Sequence, residues 1–124
     1  MSIMITMDLQ AAMIAHLNWK SKLADFFYGL EDLKADDVAD HTACEFGRWL
    51  YSAGLQSLAG FEDLDTLEQL HKEVHQSIRG LVAMPQEKRN SPDGRQELAK
   101  FHEKCDRLVA LLESMERQVK RKAA

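Results

Sequence analysis

The sequence predicts an all-α fold: an antiparallel four-helix-type bundle in which one short helix carries a cysteine. Three observations predict it. Apolar residues recur at alternating steps of three and four along three long stretches, the spacing of one face of an α-helix. No stretch shows the Val/Ile/Thr alternation of a half-buried strand. A short segment between the first two long stretches has its own helix-start pattern. Helices that can bury their apolar stripes only against one another form a bundle.

The first helical pattern runs from about Thr6 to Leu30, with Ala12, His16, Trp19, Leu23, Phe26 and Leu30 at steps of 4, 3, 4, 3 and 4. His16 is the one polar member of this stripe, and the charge of Asp8 supports the helix start. From Glu31 to Asp40 acidic residues are too dense for a buried face, which predicts a solvated connection with at most a helical turn. Thr42-Ala43-Cys44-Glu45 has the form of a capping box, with Thr42 as N-cap and Glu45 reaching back. Cys44 then falls in the first turn of a short helix, where free backbone N–H groups lower a thiol pKa. Phe46, Trp49 and Leu50 give that helix its apolar side, Gly47 allows a close approach, and Gly54 ends it.

The next long helix is expected from about Glu62 to Met84. Its stripe is Leu64, Leu67, His71, Val74, Ile78 and Leu81, again with a histidine as the one polar position and with His75 beside it. Pro85 blocks continuation. Gln86 to Asn90 reads as a polar loop. Ser91-Pro92-Asp93 starts the last helix, which runs to about Arg121 with Leu98, Phe101, Cys105, Leu108, Leu112, Met115 and Val119 on its stripe.

The 124 residues suffice for a single domain spanning 1–124, with 45% hydrophobic and 29% charged residues. A chain of this size can bury a core without a disulfide or metal. Lys+Arg 16 against Asp+Glu 20 leaves a net charge of −4, which argues against nucleic-acid binding. The basic cluster Arg117, Lys120, Arg121 and Lys122 reads as a solvated helix end. The N-terminal residues have neither the basic region nor the apolar core of a signal peptide, and no run approaches the ~20 apolar residues of a membrane span. The expected location is a reducing cytoplasm, where cysteines serve as ligands or reactive thiols more often than as disulfides.

Chemistry concentrates in two motifs. His71 and His75 are four apart, so both imidazoles stand one turn apart on the same helix face and can share one metal ion. Cys44-Glu45-Phe46-Gly47-Arg48-Trp49-Leu50 supplies a thiolate. With His16 these make the candidate ligand set His16, Cys44, His71 and His75. A lone stripe histidine is usually a satisfied core residue. Three of them, two at helical ligand spacing, change that balance, because each buried imidazole needs partners for both nitrogens. Three nitrogens and a sulfur suit tetrahedral Zn²⁺, and four protein ligands leave no open position, which points away from hydrolysis and from an enzyme. Lys72 stands where a metalloprotease motif carries its Glu. The carboxylates of a di-iron or haemerythrin-like bundle are missing from the stripes. A purely structural zinc site in a dimerisation module is the other alternative.

The flanking residues have plainer expectations. His41 is read as solvent-facing, with a supporting or alternative-ligand role as the other option. Asp40 or a nearby acid is a candidate to orient a ligand histidine. His102 is expected to be exposed, Cys105 to be a buried inert thiol, and Trp19 and Trp49 to be core residues that shape the site.

His16-Leu17-Asn18-Trp19, the Cys44–Leu50 block and His71-x-x-x-His75 together resemble, in order and rough separation, the three signature blocks of the chemoreceptor zinc-binding (CZB) domain. The resemblance spans nearly the whole chain. It implies a four-helix-type bundle holding one zinc through His16, Cys44, His71 and His75. It further implies a regulatory, homodimerising domain of bacterial signalling, in chemoreceptors or diguanylate cyclases, that senses zinc or oxidants such as hypochlorous acid through the cysteine. No receptor signalling module or cyclase module accompanies the pattern here, which fits a stand-alone member or one part of a larger protein.

Overall fold

The computed structural model describes residues 2–34, 36, 38 and 40–123, with side chains over 8–34, 36, 38 and 40–121. Its elements are α1 (Ser2–Phe27), α2 (Glu45–Trp49), a π-helical segment (Leu50–Gly54), α3 (Leu55–Ser57), α4 (Leu64–Val82), α5 (Gln86–Arg89) and α6 (Pro92–Ala123). No strand occurs among the described residues. No helix among them is long and apolar enough to cross a membrane.

α1 and α6 form the longest pairing and run antiparallel. Arg89, just before α6, donates to the Phe26 carbonyl at the far end of α1 (3.1 Å), whereas Lys20 meets Asp106 (2.6 Å) and the Cys105 thiol donates to the His16 carbonyl (3.2 Å). α4 and α6 are also antiparallel: Asp65 and Gln69 face Lys104 and Arg107, while Leu81 and Met84 face Lys88 and Glu97. α1 and α4 therefore share a direction. That is how the first and third helices of an antiparallel four-helix bundle run, the connection from Tyr28 to Asp63 carrying the chain back before α4 begins. α2, the π segment and α3 form the short fourth member.

The predicted stripes are buried on α4 and α6 apart from their first members, the half-buried Leu64 and Leu98: Leu67, His71, Val74, Ile78 and Leu81 on one, and Phe101, Cys105, Leu108, Leu112, Met115 and Val119 on the other. On α1 the stripe is correct up to Phe26 and wrong at Leu30, which is 77% exposed. The cause is Gly29, whose φ of +78° stops the helix. Gly29 N–H reaches the Phe26 carbonyl (3.2 Å) and Leu30 N–H the Asp25 carbonyl (2.8 Å), a Schellman closure. The helix also starts earlier than expected, at Ser2, so Asp8 lies inside it and does not support its start.

The connection after α1 is not simply solvated. Leu33 and Val38 are buried and anchor it to the core. Gly54 does not end the short helix, which continues through the π segment to Ser57. A side chain at Gly54 would press on the Trp49 indole, with a Cβ 2.8 Å from Cε3. The polar loop of Gln86 to Asn90 contains the one-turn helix α5. Ser91 caps α6 as expected, accepting from Gly94 N–H at 3.2 Å.

Candidate metal centre

α1 presents His16 and α4 presents His71 and His75 to the space between them, and the start of α2 closes that space with Cys44. The three histidines are buried and Cys44 is half-buried. One potential donor atom from each lies within 4.8 Å of all the others. The imidazole centroids are 5.1 Å (His16–His71), 5.6 Å (His16–His75) and 4.7 Å (His71–His75) apart, with the rings nearly perpendicular. Cys44 Sγ is 3.4 Å from His71 Nε2. Phe46 packs its ring against His71 at 5.0 Å and against His16 at 6.1 Å, closing one side.

The local structure explains why Cys44 sits there. It is itself the N-cap of α2, with extended backbone (φ −69°, ψ 161°), and its sulfur accepts from Gly47 N–H at 3.2 Å. The expected Thr42–Glu45 capping box does not form. Thr42 N–H instead turns back to the Asp40 carboxylate at 3.3 Å, which places the cap two residues later. Gly47 is needed because the His41 carbonyl passes where its Cβ would be, at 1.9 Å.

Burial, the largest influence, holds His16 down at about 4, against the opposing pull of its hydrogen bond to the Ala12 carbonyl. Burial likewise takes His71 down to about 2, with the neighbouring imidazoles of His16, His75 and His41 adding to it. Both are therefore neutral at pH 7, with a lone pair free on one nitrogen. For His16 the tautomer follows from geometry. Nδ1 lies 2.7 Å from the Ala12 carbonyl, which can only accept, so Nδ1 carries the proton and Nε2 the lone pair. The Cys44 thiol goes the other way from the expectation: burial pushes it up, and the Gly47 and Phe46 N–H groups offset only part of that rise. A cation in the cluster reverses this balance, because a coordinated thiol loses its proton.

The donor set fits a zinc ion. It combines one sulfur and three imidazoles with no carboxylate, the composition of a closed tetrahedral site. His71 Nδ1 is buried without a hydrogen-bond partner among the described residues, so its imidazole is incompletely satisfied by protein alone.

The other expectations fare variously. Asp40 does not orient a ligand histidine; it holds His41 Nδ1 at 2.7 Å. His41 is not solvent-facing: its side chain is 21% exposed and its ring lies 6.0 Å from that of His71. His102 is half-buried, which lowers its pKa. Cys105 is fully buried and its thiol is pushed up to about 11, as suits an inert packing residue. Trp19 and Trp49 are half-buried and border a cavity beside the cluster. The Ala12 carbonyl escaped sequence reasoning, since a backbone acceptor is signalled only by its place four residues before a histidine.

A search of curated proteins and one of solved structures returned no match. The family model of the chemoreceptor zinc-binding domain matches residues 16–82, from His16 to the end of α4. That stretch holds all four clustered residues and more than half of the chain, so this protein belongs to the chemoreceptor zinc-binding (CZB) domain family.

Proposed function

We propose that this domain regulates a bacterial signalling protein through one zinc ion held by His16, Cys44, His71 and His75. The observation that carries the reading is the convergence of four soft and borderline donors, from three elements far apart in sequence, within 4.8 Å. When bound there, zinc supplies a redox-inert cross-link between α1, α2 and α4 and keeps the thiol deprotonated. The protein's own groups do the rest. The Ala12 carbonyl fixes the tautomer of His16, Phe46 excludes water from one side, and Gly47 N–H holds the sulfur at the start of α2.

Loss of the ion, or oxidation of Cys44, frees α2 from α1 and α4. That change would be passed to a chemoreceptor or cyclase module, or to a second copy of the domain. The exposed apolar residues Ile14 and Leu17 on α1 support self-association. Two free cysteines and a net charge of −4 are compatible with a cytoplasmic domain that binds no nucleic acid. A haemerythrin-like reading lacks support, because the cluster holds no carboxylate.

The test is metal analysis of protein purified without added zinc, beside Cys44→Ala and His71→Ala. About one zinc per chain in the parent and much less in the variants is expected; a zinc-free parent that also fails to take up added zinc overturns the reading. Mass spectrometry after a brief oxidant pulse should find Cys44 modified before Cys105. The reverse order removes the redox arm.

A further inference from the structure

His41 stands at the edge of the metal centre, outside the four clustered residues. Its ring lies 6.0 Å from that of His71, little farther than the 5.6 Å between His16 and His75, two members of the cluster. Its carbonyl accepts from the Cys44 thiol at 3.7 Å, so the residue wraps around the sulfur. Its Nδ1 lies 2.7 Å from the Asp40 carboxylate. The Thr42 N–H keeps that carboxyl below its usual range, so it is ionised at pH 7. A carboxylate only accepts, so Nδ1 carries the proton and Nε2 is the nitrogen left for a metal. Zinc-ligating histidines are oriented by carboxylates in the same way.

The ring has room to turn. It shares a surface pocket of about 260 Å³ with the cluster member His75, with Asp40, and with Lys72, Gln76 and Arg79 of α4. Its main chain is fixed, because the Ala43 and Cys44 N–H groups both return to the Asp40 carbonyl, at 3.0 and 3.1 Å. Charge explains why the sulfur comes first. Arg48 acts on Cys44 and favours its thiolate. A thiolate cancels one of the two charges of a zinc ion, and a neutral imidazole cancels none. An all-imidazole set leaves both charges facing Arg48, Lys72 and Arg79, with Asp40 to offset them.

We propose that His41 is a reserve zinc ligand, which takes the position of Cys44 through Nε2 whenever the sulfur is withdrawn. His16, His41, His71 and His75 then retain the ion. The step is ligand exchange: the zinc–sulfur bond is given up, a lone pair of His41 Nε2 forms a zinc–nitrogen bond in its place, and no electron is transferred. The proposal rests on the zinc reading above and separates the release of α2 from the release of the metal.

A double-mutant cycle on Cys44 and His41 tests it, with zinc affinity read by competition against a chromophoric chelator. Cys44→Ala should still saturate with added zinc, more weakly than the parent. His41→Ala should cost at least about tenfold more in that background than in the parent. Asp40→Ala should weaken the Cys44→Ala protein by about tenfold, because the ring is no longer held. NMR of the histidine side-chain nitrogens gives the direct readout. On addition of zinc, His41 Nε2 should leave the range of an unligated nitrogen in Cys44→Ala and remain in it in the parent. Cys44→Ser, whose hydroxyl keeps a cap on the Gly47 N–H, serves if the alanine variant does not fold. Three results overturn the proposal and leave the zinc reading intact: equal costs of His41→Ala in both backgrounds, a His41 resonance that ignores zinc in a Cys44 variant that binds it, or a folded Cys44 variant that takes up no zinc. A parent that takes up no zinc overturns both.

Discussion

The two cysteines of this chain lie in opposite settings. Cys44 caps α2 from outside the helix, half-buried, with its sulfur near an imidazole nitrogen and a backbone N–H. Cys105 sits in the middle of α6, fully buried, and its thiol donates to the His16 carbonyl. Burial raises both thiols, and the rise for Cys105 reaches about 11. What separates them is the company of lone pairs. Cys44 faces groups that can join it around a cation, whereas Cys105 faces a carbonyl that only accepts. A side chain's chemistry here follows from where the backbone begins or continues a helix, more than from how deeply the side chain is buried.

The sharpest way to break that contrast is to remove each sulfur in turn and titrate zinc against a chromophoric chelator. Cys44→Ala should weaken zinc binding by about a hundredfold or more, and Cys105→Ala should leave it within a few-fold. Equal losses would erase the distinction.

The second test is acid. In the metal-free protein His16 and His71 bind a proton more weakly than in the unfolded chain, where a histidine titrates near 6.5. Protonation therefore favours unfolding. Their contribution is intact above about 6.5 and is lost progressively as pH falls, down to about 4 for His16 and further for His71. Each should cost about 1.4 kcal/mol per pH unit within its window, measured by urea unfolding. Zinc should displace the loss to lower pH, since binding competes with protons at the same nitrogens. Stability flat between pH 6.5 and 4 would contradict the burial of these imidazoles.

A smaller effect is expected at Gly47, where an added methyl meets the His41 carbonyl. Gly47→Ala should cost about 1–3 kcal/mol and weaken zinc binding as well, because the cap around Cys44 must shift. Smallest is the stability change in Cys105→Ala, about 1 kcal/mol or roughly 3–6 °C in Tm by calorimetry.

The bundle and the three histidines of the cluster were legible because both depend on helical spacing, whereas Cys44 was read from its own Cys44–Leu50 block. Stripe positions on α4 and α6 are set by the 3.6-residue turn, and the same turn aligns His71 with His75. The misreadings share a different cause, competition between local signals. Leu30 continues the stripe of α1 in sequence, but Gly29 ends the helix before it. Thr42 and Glu45 match a capping box, yet Asp40 takes the Thr42 N–H and the sulfur of Cys44 becomes the cap. A thiol at a helix start was expected to be acidified, but burial outweighed the two N–H groups. Leu33 and Val38 lie among acidic neighbours that conceal their burial. Such contests are decided by tertiary packing, which spacing alone does not report.

That sulfur holds one further implication, because it is both the first acceptor of α2 and a member of the cluster. Any chemistry that converts it also changes the acceptor of the Gly47 amide in the same event, so a change of a few atoms reaches the main chain without a lever arm. The neighbouring π segment, Leu50–Gly54, lies one turn downstream and offers a stretch where an altered hydrogen-bond register can be absorbed.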